Sequence, residues 1–529
     1  MDPSELDQFL NAHRLWLNSN GQQGQQAKGK HDFSEKDLTG AQLSKAVLTN
    51  SNFTKAILRD ANLKEARLAG AIFKHANLQN AILQNADLRN ADLEEALYFQ
   101  TAQLAGANVC GAKLPTAIAK FDGLKTIAEA TSNAQKLFIA MLAGCLYSWL
   151  TIGTTKDAAL LTNSSSSPLP IIGTALPIVG FYSVAPIILV GLYCYFHMNM
   201  QRLWEALADL PAVFLDGRPL DKTADPWLLN GLVRAHFVRL RWERPPLSRM
   251  QQWLSVFLAW GVVPITLFFF WGRFLIRHDW LVTALHVVLL TVAIWFGWMS
   301  YSLTSATLGG TSRKPFIWAY AWNDSRTYKT IAVCAFGVIF WFISANAIQG
   351  IPDYFYVGEG RWWREGSKSW EPTVGACNLR RVVPRILEYI LLSPFAKLIR
   401  EDVSTKPPNW TGDVKEYPLV KGAHLREVNM QYADGYRAFL VNADMSLARL
   451  SNSYLAYANL SNADLSYADL SNADLSYADL SNADLSNADL SNADLSGVDL
   501  RKAKGLSRSQ LSKAKTPMKD TLLPAELSR

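Results

Sequence analysis

The side chains best placed for chemistry are eight aspartates set five residues apart: Asp464, Asp469, Asp474, Asp479, Asp484, Asp489, Asp494 and Asp499. Each stands directly before a leucine. A row of carboxylates can keep a regular surface solvated, or it can dock a cation or a basic partner. Tyr467 and Tyr477 interrupt the row as large aromatic anchors on opposite faces. Between residues 425 and 500 there are eleven acidic and three basic side chains, whereas residues 501–529 carry eight basic and two acidic ones. Residues 33–114 are balanced, with nine basic and eight acidic.

Other chemistry is not written in the chain. Its eight histidines form no HExxH pair, and neither a GxxxxGK[ST] loop nor a GxSxG elbow occurs. Cys110, Cys145, Cys194, Cys334 and Cys377 lack CxxC spacing, which argues against a disulfide framework and a zinc site. No enzyme, cofactor or metal is therefore expected. His286 and Asn346 fall in apolar windows and are expected to hydrogen-bond a neighbouring helix, while Arg273, near a window's end, is expected to snorkel to the interface.

The aspartates belong to a five-residue beat. Leu460, Leu465 and their successors to Leu500 recur at every fifth position, with alanine two residues before most of them. An earlier stretch keeps the same step from Phe33 through Leu38, Leu43 and Phe53 to Leu93, slips by one residue near Tyr98, and resumes at Leu104, Val109 and Leu114. Neither a helix nor a flat strand has one apolar stripe with a period of five. A short fixed repeat instead implies a solenoid, in which each unit buries its face on its neighbours.

This pattern resembles the pentapeptide repeat family, with its consensus A(D/N)LXX. The resemblance implies right-handed, square-sectioned β-helices with four pentapeptides per coil, so that Asp464 would stack on Asp484 and Asp479 on Asp499. Phe33 to Leu114 gives 17 units and Leu425 to Leu500 gives 16, with Gly435 in one of them. That is about four coils each, spaced roughly 4.8 Å apart. Open coil ends need caps. Residues 5–18 read as an amphipathic helix ahead of the first array, and Gly505, Leu506, Gln510, Leu511, Ala514, Thr521 and Pro524 match the family's closing segment. Some soluble family members resemble a DNA rod and bind DNA gyrase. A short, membrane-tethered array argues against that role here, and nucleic acid is not an expected partner.

Charged residues are only 18% of the chain, below the roughly 25% usual for soluble domains. Five windows near 137–155, 170–198, 253–275, 281–301 and 330–350 approach or exceed the length of a membrane span. Pro170, Pro177 and Pro186 imply that the second is entered late or kinked. Arginine and lysine crowd the 199–250 and 302–329 loops, which puts those loops and the first array in the cytoplasm. Five spans would place the second array outside, against the basic group Arg361, Arg364, Lys368, Arg380, Arg381 and Arg385. Leu229, Val233, Phe237 and Leu240 share a helix face that suits either the membrane interface or packing on the bundle, and Trp362, Trp363 and Trp370 resemble interface anchors.

The expected fold is thus two right-handed quadrilateral β-helices flanking an α-helical transmembrane bundle. The divisions are a cap helix (1–31), the first array (32–117), a linker (118–136), the bundle (137–350), a basic, Trp-rich linker with an interfacial helix (351–420), the second array (421–502) and a cap (503–529). The expected function is a non-enzymatic scaffold in a bacterial inner membrane, with lipid, an unidentified protein and a second copy as partners. The alternatives are a channel, transporter or membrane effector with sensing arrays, and a DNA mimic that binds a topoisomerase.

Overall fold

The computed structural model describes residues 3–19, 21–121, 123–163, 177–223, 227–237, 240, 246–309, 325–349, 395–411, 413–515, 520–524 and 527. Arg313, Lys314, the basic group from Arg361 to Arg385, the three linker tryptophans, Cys377 and most of the expected interfacial helix lie outside them. The principal helices are α1 (Pro3–Asn18), α2 (Gly123–Thr154), α3 (Asp157–Thr162), α4 (Ile178–Ala208), α5 (Ser248–Arg277), α6 (Trp280–Leu308), α7 (Ser325–Gln349) and α8 (Arg508–Lys513). The chain divides into two compact units. One comprises Met1–Ala143, Gly191–Val263 and Ala293–Thr327, and the other Gly144–Val190, Pro264–Val292 and Tyr328–Arg529.

In the first unit the five-residue step becomes a coil. Parallel bridges join Asp32 to Asn52, Asp37 to Ile57 and Gln42 to Asn62, an offset of twenty residues that continues along the array. Each side of a coil offers a single bridging residue, so the described residues form no extended strands. The turn between sides puts one residue in the left-handed region, as at Lys45 (φ 60°) and Asn50 (φ 57°), where Asn and Gly are least strained. Leucine, phenylalanine and alanine fill the axis, and Phe33, Phe53 and Phe73 stack with centroids 5.1 and 4.9 Å apart. The slip near Tyr98 is a surface turn, Thr101–Leu104, after which the offset becomes 21, as in Asp87 to Asn108.

Helix α1 closes the outer end of this array. His13 is fully buried there; its Nδ1 accepts from the Ala27 N–H and its Nε2 bonds the Ser44 carbonyl, both at 3.0 Å. The other end is closed by a segment that follows α4. Gly106, Val109 and Gly111 donate N–H bonds to the carbonyls of Leu210, Val213 and Leu215 at 2.9–3.0 Å, and the Ala212 N–H returns one to Ala107 at 2.8 Å. Residues 210–215 therefore add a further coil edge, with Ala212 and Phe214 buried. Ala212-Val213-Phe214 keeps the alanine-x-apolar spacing of the repeat, but as an isolated unit after α4, and the sequence reading missed this cap. Leu229, Val233, Phe237 and Leu240 are all buried, which rejects the interfacial alternative and selects packing.

In the second unit coil pairing starts inside the segment expected as linker. Leu398 donates to the Asp434 carbonyl at 2.7 Å and Val403 to Phe439 at 3.1 Å. An insertion then folds back, packing Trp410, Tyr417 and Val420 on Phe439 and Val441, and the twenty-residue offset resumes at His424 and Asp444. Helix loops close this end too. Leu161 of α3 and Ile276 of α5 join the same buried cluster as Ala396, Leu398 and the leucine column. Asp157 ties the two parts together: its Oδ2 accepts from the Lys397 N–H at 2.7 Å and its Oδ1 pairs with Arg273 at 2.6 Å. Arg273 also donates to the Thr155 carbonyl, so it is a partly buried latch rather than a snorkelling side chain. At the outer end, α8 starts with a capping box between Ser507 and Gln510, the Gln510 amide donates to the Leu485 and Ala488 carbonyls, and Thr521 bonds the Leu495 carbonyl.

Among the described residues four helices are long and apolar enough to cross a membrane: Thr126–Thr154, Ile178–Ala208, Ser248–Arg277 and Trp280–Leu308. The fifth window holds a shorter apolar stretch, Ala332–Ala345, within α7. Helix α4 starts after Pro177, as the prolines implied, and keeps Pro186 inside it. Pro186 has no N–H for the Tyr182 carbonyl one turn earlier. His286 supplies the missing donor, with Nε2 at 2.8 Å from that carbonyl. In the other unit a π-helical turn, Phe257–Gly261, interrupts α5. His197 bonds the Ala259 carbonyl at 3.1 Å and Tyr193 donates to that of Trp260 at 3.3 Å. The role expected of His286 is thus observed, and His197 fills a similar one that the sequence reading missed. The Asn346 side chain lies outside the described set.

Candidate interaction surface

The aspartate row begins as turn chemistry. Oδ1 of every one of the eight accepts the backbone N–H of the residue two positions on, at 2.9–3.1 Å. At Asp469, Asp484, Asp489 and Asp494 the serine hydroxyl at that second position donates to the same oxygen. These local bonds hold each turn in shape, as asparagine or aspartate does at turns generally. They also keep Asp484 and Asp489 below the usual carboxylate range, the serine hydroxyl being the main cause. At Asp499 the main cause is the Arg501 guanidinium. For Asp494 burial pushes upward, but Lys515 and Ser496 outweigh it. The turn bonds leave the second oxygen of each carboxylate over; at Asp494 it pairs with Lys515 and at Asp499 with Arg501.

Stacking follows the coil. Asp464 bridges Asp484, Asp469 bridges Asp489 and Asp474 bridges Asp494. Tyr467 and Tyr477 are 61% and 52% exposed, and ten residues separate them, which is half a coil. Tyr477 belongs to a larger group. Its ring stacks on Tyr457 at 5.1 Å, Tyr457 meets Tyr436 edge-on at 5.7 Å, and Tyr436 stacks on Tyr454 at 5.7 Å. The Arg437 guanidinium lies over Tyr436 and Tyr457, 5.2 and 5.6 Å from the ring centres. Gly497 takes the next place in the Tyr457–Tyr477 column, where a Cβ would stand 2.5 Å from the Tyr477 ring.

Tyr436, Tyr454, Tyr457 and Arg437 were missed in the sequence. The signal was present, because Tyr457 and Tyr477 are twenty residues apart, one full coil. Among the described residues no three His, Cys, Asp or Glu side chains stand together as a metal site.

Comparison with known proteins bears on the repeats. The family model described as pentapeptide repeats matches in 8 copies, over residues 37–74, 61–97, 443–482, 468–504 and 478–515. Among solved structures the chain is similar to a pentapeptide repeat protein of the Arabidopsis thaliana thylakoid lumen, at 25% identity over 20% of this chain and 74% of that one, TM-score 0.14. It is similar to Rfr23 of the cyanobacterium Cyanothece 51142, at 26% identity over 24% and 85%, TM-score 0.14. It is also similar to HetL, involved in heterocyst differentiation regulation in Nostoc sp. strain PCC 7120, at 14% identity over 94% and 86%, TM-score 0.14. No curated protein matches. The repeat matches in both arrays, together with the twenty-residue coil, show that this chain carries pentapeptide repeats alongside membrane-length apolar helices.

Proposed function

We propose that the protein is a non-enzymatic scaffold of a bacterial inner membrane that holds one right-handed, quadrilateral β-helix on each face. The supporting observation is which helix ends close which array. The first array is closed by residues 210–215, which follow α4, the second crossing along the chain. The second array is closed by α3 and Ile276, which follow the first and third crossings, α2 and α5. Loops after odd and even crossings emerge on opposite faces. Helix α7 then makes the fifth crossing: a Cβ at Gly337 would meet Thr291 at 2.8 Å, while Trp341 meets Trp280 at 5.6 Å, so α7 runs opposite to α6. The arginine-rich 199–250 loop sets the first array in the cytoplasm.

A static bundle fits this role better than a conducting one. The helix irregularities at Pro186 and Phe257–Gly261 leave carbonyls that His286, His197 and Tyr193 already occupy. Proteoliposomes loaded with an ion-sensitive dye test the choice. The scaffold reading expects leakage equal to that of empty liposomes; protein-dependent flux would replace it with a channel or transporter.

A further inference from the structure

The tyrosine group on the second array has a chemistry that solvation does not require. Tyr457 and Tyr477 hold left-handed backbone, φ 59° and 57°. At the same turn position Asn442, Asn462, Asn482 and Asn492 adopt that conformation, and asparagine tolerates it far better than a ring-bearing side chain does. Tyrosine stands there against local backbone preference, as Arg437, Leu447 and Tyr467 do at the same turn position. Along the adjoining column Asp434, Tyr454, Asp474 and Asp494 bridge in sequence, so carboxylates flank the rings. Burial first, then the charge of Asp474, raises the Tyr454 phenol above its ordinary range.

The chain itself displays what such a surface binds. The Arg437 guanidinium stands within cation–π distance of two of the rings, and the Lys515 ammonium pairs with the outer oxygen of Asp494. We propose that this edge of the second array is a docking strip for an arginine-rich segment of a partner protein. One guanidinium would stack on the Tyr477 face that Gly497 leaves without a covering side chain, and others would pair with carboxylate oxygens of the row such as Asp474 Oδ2. Planar guanidinium suits both contacts better than a lysine ammonium. Charge complementarity supports this occupant, because residues 425–500 carry eleven acidic side chains against three basic.

The inference rests on the scaffold reading, since it names the kind of partner a scaffold would display the array to. Its test is independent of membrane side and of conduction. Fluorescein-labelled octa-arginine would be titrated with the full-length protein in non-ionic detergent and followed by anisotropy. Saturable binding is expected, several-fold tighter than for octa-lysine. Tyr457→Asn with Tyr477→Asn should weaken it about tenfold, from the lost cation–π contact at Tyr477 and the ring that supports it, while the melting temperature holds or rises. Tyr467→Asn, half a coil away, should leave binding unchanged. Asp474→Asn, which keeps the turn acceptor, should weaken it, and Tyr477→Phe should retain it. Equal binding by the double tyrosine variant, or no preference for arginine over lysine, would overturn the proposal. So would a melting temperature that falls with Tyr477→Phe binding also lost, which would make the ring stack purely structural. None of these results would touch the liposome outcome.

Discussion

Single side chains settle where this fold can fail. His13 accepts from the Ala27 amide and donates to the Ser44 carbonyl, so only one neutral tautomer satisfies both bonds. Burial lowers its pKa from the ordinary 6.5. The unfolded segment thus takes up a proton before the folded one, and stability rises with pH in this range. The cap is fully held above about 6.5 and weakens as pH falls through and below that value. Exchange of the Ala27 amide, corrected for intrinsic rates, should show protection declining from pH 8 to pH 5; constant protection would refute the assignment. Inside the bundle, Pro186 and His286 form a second testable pair. His286→Phe should cost about 1–2 kcal/mol by stranding the Tyr182 carbonyl. In a Pro186→Ala background the helix supplies its own donor, so the same substitution should cost much less. Additive melting shifts in this double-mutant cycle would contradict the link.

At the scale of elements, the arrays were largely legible because period five excludes both helix and strand. Leu465 or Phe53 can be placed on the axis from spacing alone, and Asp464 over Asp484 from the twenty-residue coil. The inner caps were not legible. Residues 210–215 join the first array as a single repeat-like unit, Ala212-Val213-Phe214, separated from it by two helices, and Leu161 and Ile276 close the second from more than a hundred residues away in sequence. The tyrosine strip lay between these cases, since its twenty-residue repeat is visible but its joining to Tyr436 and Tyr454 needs the turn geometry. The backbone cap makes a direct prediction. Ala212→Pro removes the N–H that bonds Ala107 and should destabilise the first array by about 1–3 kcal/mol, whereas Ala212→Ser should be nearly silent. Hydrogen exchange across residues 104–113 would show the difference.

For the whole molecule, the account depends on counting crossings. Each array is closed by the helix ends nearest it in its own unit, and those ends follow even crossings for the first array and odd crossings for the second. The proposed topology would set the balanced array on one face and the acidic one on the other. Solenoids of this kind tolerate no unpaired ends, so severing an array from its helix loops would expose a coil edge as well as lose a tether. The most direct test is the side occupied by the C-terminus. Paired fusions after Arg529 would be used, one reporter active only in the cytoplasm and one only beyond the membrane. The account predicts activity from the external reporter alone, with cytoplasmic activity from a fusion at the N-terminus. A cytoplasmic C-terminus would contradict it, because both arrays would then share one face and one of the five crossings would be lost.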